Sequence, residues 1–371
     1  MRGPLIRSVV IAAGGTGGHF FPAEALTAEL ARRGLRVALL TDARSGALAS
    51  PTFAGRERFV LRGAGIAGRG VLHGAGAIAS LGIGTLQAWR ILSRLHAAVL
   101  VGFGGYPSVA PVLASLLLRR RPAIVLHEQN AVLGRANRLL ARHADLLAMS
   151  HAATTRVPKG VRTSVTGNPV RPAIAALAGA PYAPPTDDIR LLVLGGSLGA
   201  RVLSDVVPAA VAMLPEDLRT RLRVAQQCRA EDLARVRDAY AAIGVAADLA
   251  PFFADVAGRL AVAHLVIARA GASTVAELAA IGRPGILVPL PHAIDDHQSA
   301  NARALSEAGA AWMMKQPAFT PTALAAELAR LLRDPAALAI AAARAASLGR
   351  AGAAARLADL VDELMAQERA A

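Results

Sequence analysis

Several groups of residues have types and spacings that suit chemistry. The first is Gly14-Gly15-Thr16-Gly17-Gly18-His19, between an apolar run and a helical pattern. Glycines there let the backbone close on an anion, and a helix N-terminus adds free N–H groups. Gly195-Gly196-Ser197-Leu198-Gly199 repeats the design, with the Ser197 hydroxyl available to a phosphate oxygen. Gly102-Phe103-Gly104-Gly105-Tyr106-Pro107-Ser108 is a third loop after an apolar run. Taken singly, each reads equally as a tight strand-to-helix turn. Three in one chain point to polyanionic ligands.

Two nucleotide signatures are incomplete. A dinucleotide fingerprint built on Gly15-Thr16-Gly17 needs glycine at position 20, which is Phe20, although Asp42 follows the second apolar run where a ribose-binding acid belongs. No Gly-Lys-Ser/Thr is present for a P-loop.

The polar clusters come next. His127-Glu128-Gln129-Asn130 directly follows the apolar run Ile124-Val125-Leu126, and four polar residues at a strand's carboxyl end favour a site. Thr166-Gly167-Asn168-Pro169-Val170-Arg171 ends in a guanidinium able to reach a phosphate. In Gly271-Ala272-Ser273-Thr274-Val275-Ala276-Glu277, Ser273 or Thr274 can cap a helix. Glu277 then closes a capping box or, alternatively, accepts both hydroxyls of a ribose. His292, Asp295, Asp296 and His297 raise a metal site, but paired aspartates equally open a helix and no ligand set lies beyond them; no metal is expected. Gln298 suits a sugar hydroxyl.

The elements that must position these groups alternate. Val9–Ala13, Val37–Leu40, Ala98–Val101, Ile124–Leu126, Leu146–Met149 and Ser164–Thr166 read as strands, with helical composition between them at 22–33 and 107–118. Pro22 suits a first helical turn and Glu24 its positive end. After a proline-rich interval the pattern restarts with Ile189–Leu194, Leu222–Ala225, Leu265–Ala268 and Gly285–Pro289. The expected fold class is therefore α/β: two doubly wound Rossmann-like domains, with ligands at the carboxyl ends of the strands in an interdomain cleft. The expected boundaries are 1–168, 169–350 and a C-terminal helix at 351–371 that packs back on the first domain. Residues 321–368 are Ala/Leu-rich and helical, acidic towards the end at Asp359, Asp362 and Glu363.

Composition narrows the function. The 371 residues suit about two domains, and a 54% hydrophobic content supports sizeable cores. The single cysteine, Cys228, rules out an intrachain disulfide or a Cys-rich metal site. The net charge of +15 falls wholly in residues 1–168, with 21 basic and 6 acidic side chains, so that half faces an anionic partner. Aromatics are only 4% and no recognition motif appears, which argues against nucleic acid. The run after Arg7 is too short for a signal peptide. Residues 70–89 and 95–118 lack charge; the second reads as strand, loop and buried helix, the first as a core helix or a membrane-contact patch.

GGTGGH at 14–19, GFGGYPS at 102–108, HEQN at 127–130, GNPVR at 167–171, GGSLGAR at 195–201, GASTVAE ending at Glu277 and DDHQ at 295–298, in this order, resemble the MurG family. The resemblance spans most of the chain. It implies a GT-B fold and inverting transfer of GlcNAc from UDP-GlcNAc to the C4 hydroxyl of lipid I, giving lipid II in peptidoglycan synthesis. It implies donor contacts at Thr16, Gly17, Gly18, Asn130, Arg171, Ser197, Phe253, Ala272, Ser273, Thr274, Val275, Ala276, Glu277 and Gln298. Gly104, Gly105 and Tyr106 fall on the acceptor side. His19 is expected as the general base or its close partner, with Glu128 as the alternative. No cofactor is expected beyond the substrates, and the partners implied are lipid I, an anionic membrane surface and cell-wall synthesis proteins, at the cytoplasmic face of the bacterial plasma membrane. The sequence departs from the family at Leu198, where glutamine is usual, at Val109, and at Ala67, where a basic residue is common. A related glycosyltransferase with another acceptor and a UDP-GlcNAc epimerase are the rival enzymes; the epimerase needs no acceptor.

Overall fold

The computed structural model describes residues 8–15, 17–43, 50–62, 71–196 and 199–370. The chain divides into two compact units, one of residues 1–172 with 352–371 and one of residues 173–351.

The first unit is built on seven parallel strands: β1 Ser8–Ala12, β2 Arg36–Thr41, β3 Arg58–Val60, β4 Ala97–Gly102, β5 Ala123–Glu128, β6 Leu146–Met149 and β7 Thr163–Val165. Their order is β3-β2-β1-β4-β5-β6-β7. The central strands are continuous apolar runs because helices cover both faces; Val9, Val10, Ile11 and Ala12 are all fully buried. The order reverses between β1 and β4, and the crevice at the carboxyl ends of such a pair is where doubly wound sheets bind ligands.

Helix Gly17–Arg32 starts earlier than the sequence suggested. Pro22 lies inside it rather than in the first turn, which holds no acidic residue. The missing Pro22 N–H removes the bond that would run to the Gly18 carbonyl, and Glu24 instead accepts from the Ser50 hydroxyl at 2.5 Å. The uncharged stretch near 95–118 forms β4, a short 3-10 turn at Tyr106–Ser108 and helix Val109–Leu116.

The last helix, Ala353–Ala370, packs on helix Gly17–Arg32. Its Leu357, Ala358 and Val361 join Phe20, Leu26 and Leu30 in one core. Its acidic end has a partner in Arg33, whose guanidinium meets Asp359 at 2.8 Å and Asp362 at 2.7 Å.

The second unit has six parallel strands: β8 Ile189–Leu194, β9 Leu222–Gln227, β10 Ala246–Ala250, β11 Leu265–Ala268, β12 Gly285–Leu287 and β13 Ala311–Met313. Their order is β10-β9-β8-β11-β12-β13, reversing between β8 and β11. Arg283, 2% exposed, donates to the carbonyls of Pro181, Leu260, Ala261, Ile281 and Gly282. A buried cation with no carboxylate among these partners is held here by the electronegative ends of helices Val256–Val262 and Ala272–Ile281.

Candidate active site

In the first unit the predicted residues gather at the carboxyl ends of β1, β4 and β5. His19 stands in the first turn of helix Gly17–Arg32. Its Nδ1 lies 3.0 Å from the Gln129 side-chain oxygen. The Gln129 amide nitrogen donates to the Phe103 carbonyl, the His127 carbonyl and His127 Nδ1, each at 3.0 Å. His127 Nε2 donates to the Gly167 carbonyl at 3.1 Å. A flipped Gln129 would set its oxygen against two carbonyl oxygens, so in the neutral His19 ring Nδ1 carries the proton and Nε2 the lone pair. Complete burial holds His127 down at about 4, so it stays neutral and its Nδ1 accepts.

Glu128 is used differently. It is 2% exposed. One carboxylate oxygen accepts from Asn130 N at 3.0 Å and Asn130 Nδ2 at 2.9 Å, the other from Gly134 N and Asn137 Nδ2, both at 2.9 Å. Four donors occupy its lone pairs and pin the loop that carries Asn130.

Gly104 and Gly105 both have positive φ. A Cβ on Gly105 would sit 3.5 Å from His19 Nε2, so this loop passes beside the nitrogen that bears the lone pair. Tyr106 donates to Asp42. The acid that resembled a ribose ligand is thus 3% exposed and engaged by the loop after β4. Arg171 lies over the Phe21 ring, 4.8 Å from its centroid. Asn168 is 6% exposed, and neither amide atom has a partner among the described residues. Gly17 and Gly18 lead the helix; Thr16 lies outside the described residues.

In the second unit the sites again ring the reversal point. Ser197 and Leu198 lie outside the described residues. Beside them, Gly195 cannot carry a side chain, since its Cβ would fall 2.6 Å from the Ala200 nitrogen. Gln227, at the end of β9, accepts from Gly195 N at 3.2 Å and donates to the carbonyls of Gly196 at 3.0 Å and Pro251 at 3.1 Å. It thereby ties the glycine loop to the segment bearing Phe253, itself 4% exposed with Arg259 over its ring at 4.0 Å.

Helix Ala272–Ile281 opens on Gly271 with no side-chain cap. Ser273 and Thr274 therefore do not cap it, and Glu277, in its second turn, closes no capping box. The Ala272, Ser273 and Thr274 N–H groups therefore have no side-chain cap among the described residues, and the Ser273 hydroxyl is buried with no partner among them. Glu277 is 5% exposed. Gln298 accepts from Leu290 N at 3.0 Å, which ties it to the loop after β12. Asp296 occupies the N-cap of helix His297–Ser306 without a side-chain cap bond.

Gln129 and Gln227 are the site residues that sequence reasoning missed. Gln129 was visible only as one of a polar cluster, and Gln227 carried no signal beyond being polar at the end of an apolar run.

The fold and these sites define a glycosyltransferase. The family 28 N-terminal domain model matches residues 9–149 and the family 28 C-terminal domain model residues 190–363. The chain belongs to the MurG family within them. It is 64% identical over 366 residues to the UDP-N-acetylglucosamine--N-acetylmuramyl-(pentapeptide) pyrophosphoryl-undecaprenol N-acetylglucosamine transferase of Granulibacter bethesdensis, covering 98% of this chain and 95% of that one. It is 55% identical to the transferase of the same name from Acidiphilium cryptum, covering 99% of both. The crystal structure of Acinetobacter baumannii MurG superposes with a TM-score of 0.75 at 29% identity, covering 96% of this chain and 99% of that one. The GT-B fold expected from the resemblance is the fold observed.

Proposed function

We propose that this chain transfers GlcNAc, with inversion, from UDP-GlcNAc to the C4 hydroxyl of the MurNAc of lipid I, forming lipid II. The observation that carries the reading is its near-full-length similarity to transferases named for that reaction.

The site residues suit a single displacement. His19 Nε2 takes the proton of the acceptor hydroxyl, whose oxygen attacks the anomeric carbon. The bond to the phosphate oxygen breaks and UDP leaves with its electron pair. The open N-terminus of helix Ala272–Ile281 and the Arg171 guanidinium stabilise the departing diphosphate. Glu277 holds the ribose hydroxyls, Phe253 presents its backbone to the uracil, and Gln298 meets the sugar. Thr16, Gly17, Gly18, Asn130 and Ser197 complete the donor contacts, with Gly104, Gly105 and Tyr106 towards the acceptor. Glu128, its lone pairs already occupied, shapes the loop rather than moving the proton. No resident cofactor is part of this reading. Labelled UDP-GlcNAc with a soluble lipid I analogue is expected to give the β-linked disaccharide. Transfer by folded protein to a different acceptor only, or epimerisation without an acceptor, would overturn it.

The first unit also suits peripheral attachment to the cytoplasmic face of the plasma membrane. Among the described residues no helix is long and apolar enough to cross a membrane. Helix Val71–Leu95 buries Ala88, Leu92 and Leu95, while Ile83, Leu86 and Trp89 are 46%, 50% and 37% exposed beside Arg90 and Arg94. The side chains of Val71, Leu72 and Ile78 lie outside the described ones, as does Arg69. Basic residues near an anionic leaflet gain roughly 1 kcal/mol each, and the exposed apolar face adds shallow insertion. Flotation with anionic vesicles is expected to carry the protein up and to weaken with salt; equal recovery on neutral vesicles would count against the patch.

A further inference from the structure

We infer that Gln129 is a positioning residue of the transfer reaction: its carboxamide fixes the His19 imidazole with the lone pair on Nε2, and His127 fixes the carboxamide. The inference rests on the general-base reading of His19.

The geometry leaves Gln129 little freedom. The residue is 1% exposed, so water does not compete for its bonds. Its amide nitrogen has two hydrogens and three acceptors within 3.0 Å, the Phe103 and His127 carbonyls and His127 Nδ1. Among the described residues its oxygen has one partner, His19 Nδ1 at 3.0 Å. His127 in turn is held at Nε2 by the Gly167 carbonyl, which leaves its Nδ1 only the acceptor role. The chain of bonds runs from the loop after β7, through two buried side chains, to a half-buried imidazole. Every donor faces an acceptor in one sense only, so reversing any member breaks its neighbours.

That sense matters to the chemistry. A histidine with its proton on Nε2 would point a donor at the incoming hydroxyl and could not take its proton. The alternative to Gln129 as orienter, a histidine free to exchange tautomers, spends part of its population in that unproductive form. The second end of the carboxamide adds a further constraint, because Phe103 belongs to the loop whose Gly105 borders His19 Nε2. One side chain thus sets both the base and the loop it faces.

Two measurements test this. Long-range proton–nitrogen correlation spectra of the full-length protein, labelled at histidine, are expected to show His19 protonated on Nδ1 at neutral pH. An Nε2–H tautomer in the unsubstituted protein overturns the positioning role without any variant being made. In steady-state kinetics, Gln129→Met is expected to lower kcat about 10²-fold, as for a wrong tautomer or lost proton transfer, with the UDP-GlcNAc KM within about twofold. Added to His19→Ala, the same substitution is expected to cost less than about twofold more, because the two act as a unit. A full multiplicative loss in the double variant, or a raised KM with kcat intact, would make Gln129 merely structural. Near-normal turnover in His19→Ala alone brings down the general-base reading and the catalytic half of this inference, while the tautomer result still decides the geometry.

Discussion

Gln129 and Gln227 end non-equivalent strands of the two units, β5 and β9, yet each is buried at a strand's carboxyl end and each joins a glycine loop to a neighbouring segment. They differ in where the carboxamide oxygen goes. In the second unit it takes the Gly195 backbone N–H. In the first it takes a side chain, the imidazole of His19. Spending the oxygen on backbone builds a cradle of fixed shape. Spending it on an imidazole sets a tautomer as well as a shape. Other residues of each site differ in the same sense: Glu128 has its lone pairs filled by protein donors, whereas the Ser273 hydroxyl has no partner and helix Ala272–Ile281 no side-chain cap among the described residues. On the proposed mechanism, the His19–Gln129–Glu128 cluster of the first unit is wired internally, which suits chemistry, and Ser273 of the second is left unspent, which suits binding.

The largest expected effect tests the chemical half of that contrast. His19→Ala should lower kcat by about 10² to 10⁴, the range for losing a general base, and leave UDP binding by calorimetry unchanged. Equal losses in rate and nucleotide affinity would erase the distinction between the units.

The wiring also has a cost in acid. His127 titrates at about 4 in the folded chain, against an ordinary value near 6.5 when unfolded. Below pH 6.5 the unfolded state therefore binds the extra proton first. Stability contributed by the neutral imidazole is present above that pH and is lost as the pH falls towards 4, about 3 kcal/mol in all. Denaturant unfolding across this window should show His127→Gln with a correspondingly shallower acid loss than the parent. Parallel curves for the two proteins would mean that His127 is not the proton acceptor.

This wiring is also what the sequence hid. The buried strands were legible because continuous apolar runs such as Val9–Ile11 and Leu191–Val193 read only one way. The strands that went unread, Arg58–Val60, Ala246–Ala250 and Ala311–Met313, all lie at sheet edges. There one side lacks a neighbour, exposure is partial, and the apolar run that signals a strand is not required. The glycine loops and the HEQN cluster were legible as a site, since anion binding and polar strand ends constrain residue type. Which member of HEQN faces which partner was not, because hydrogen-bond direction depends on atoms that the fold brings from 26 and 110 residues away in sequence. Helix starts failed for a related reason: Pro22 and Ser273 each fit a local rule for a first turn or a cap, yet the helices begin at Gly17 and Ala272.

A smaller effect probes the cradle. Gln227→Leu removes the acceptor for Gly195 N and the donor to Gly196 and Pro251 while keeping much of the volume. The UDP-GlcNAc KM should rise about tenfold, near 1.4 kcal/mol of uniform binding, with kcat nearly unchanged. Read beside Gln129→Met, the pair forms a crossed test: a kcat defect from the first-unit glutamine, a KM defect from the second. The same kinetic signature from both would show that the two carboxamides do one job.

The smallest effect is the most pointed because its two parts differ in sign. The Ser273 hydroxyl is buried and unpartnered among the described residues of the free chain, and such a group costs folding free energy of order 1 kcal/mol. Removing it in Ser273→Ala should therefore leave the melting temperature unchanged or slightly higher. If the hydroxyl is held in reserve for the diphosphate, the same change should weaken UDP binding by about 1 kcal/mol, roughly fivefold. Thermal unfolding and calorimetry on one preparation measure both. A residue that merely packs would lose stability and keep its affinity, the reverse on both counts; that result would place Ser273 with the internally spent groups of the first unit and leave the open helix N-terminus to bind the diphosphate without it.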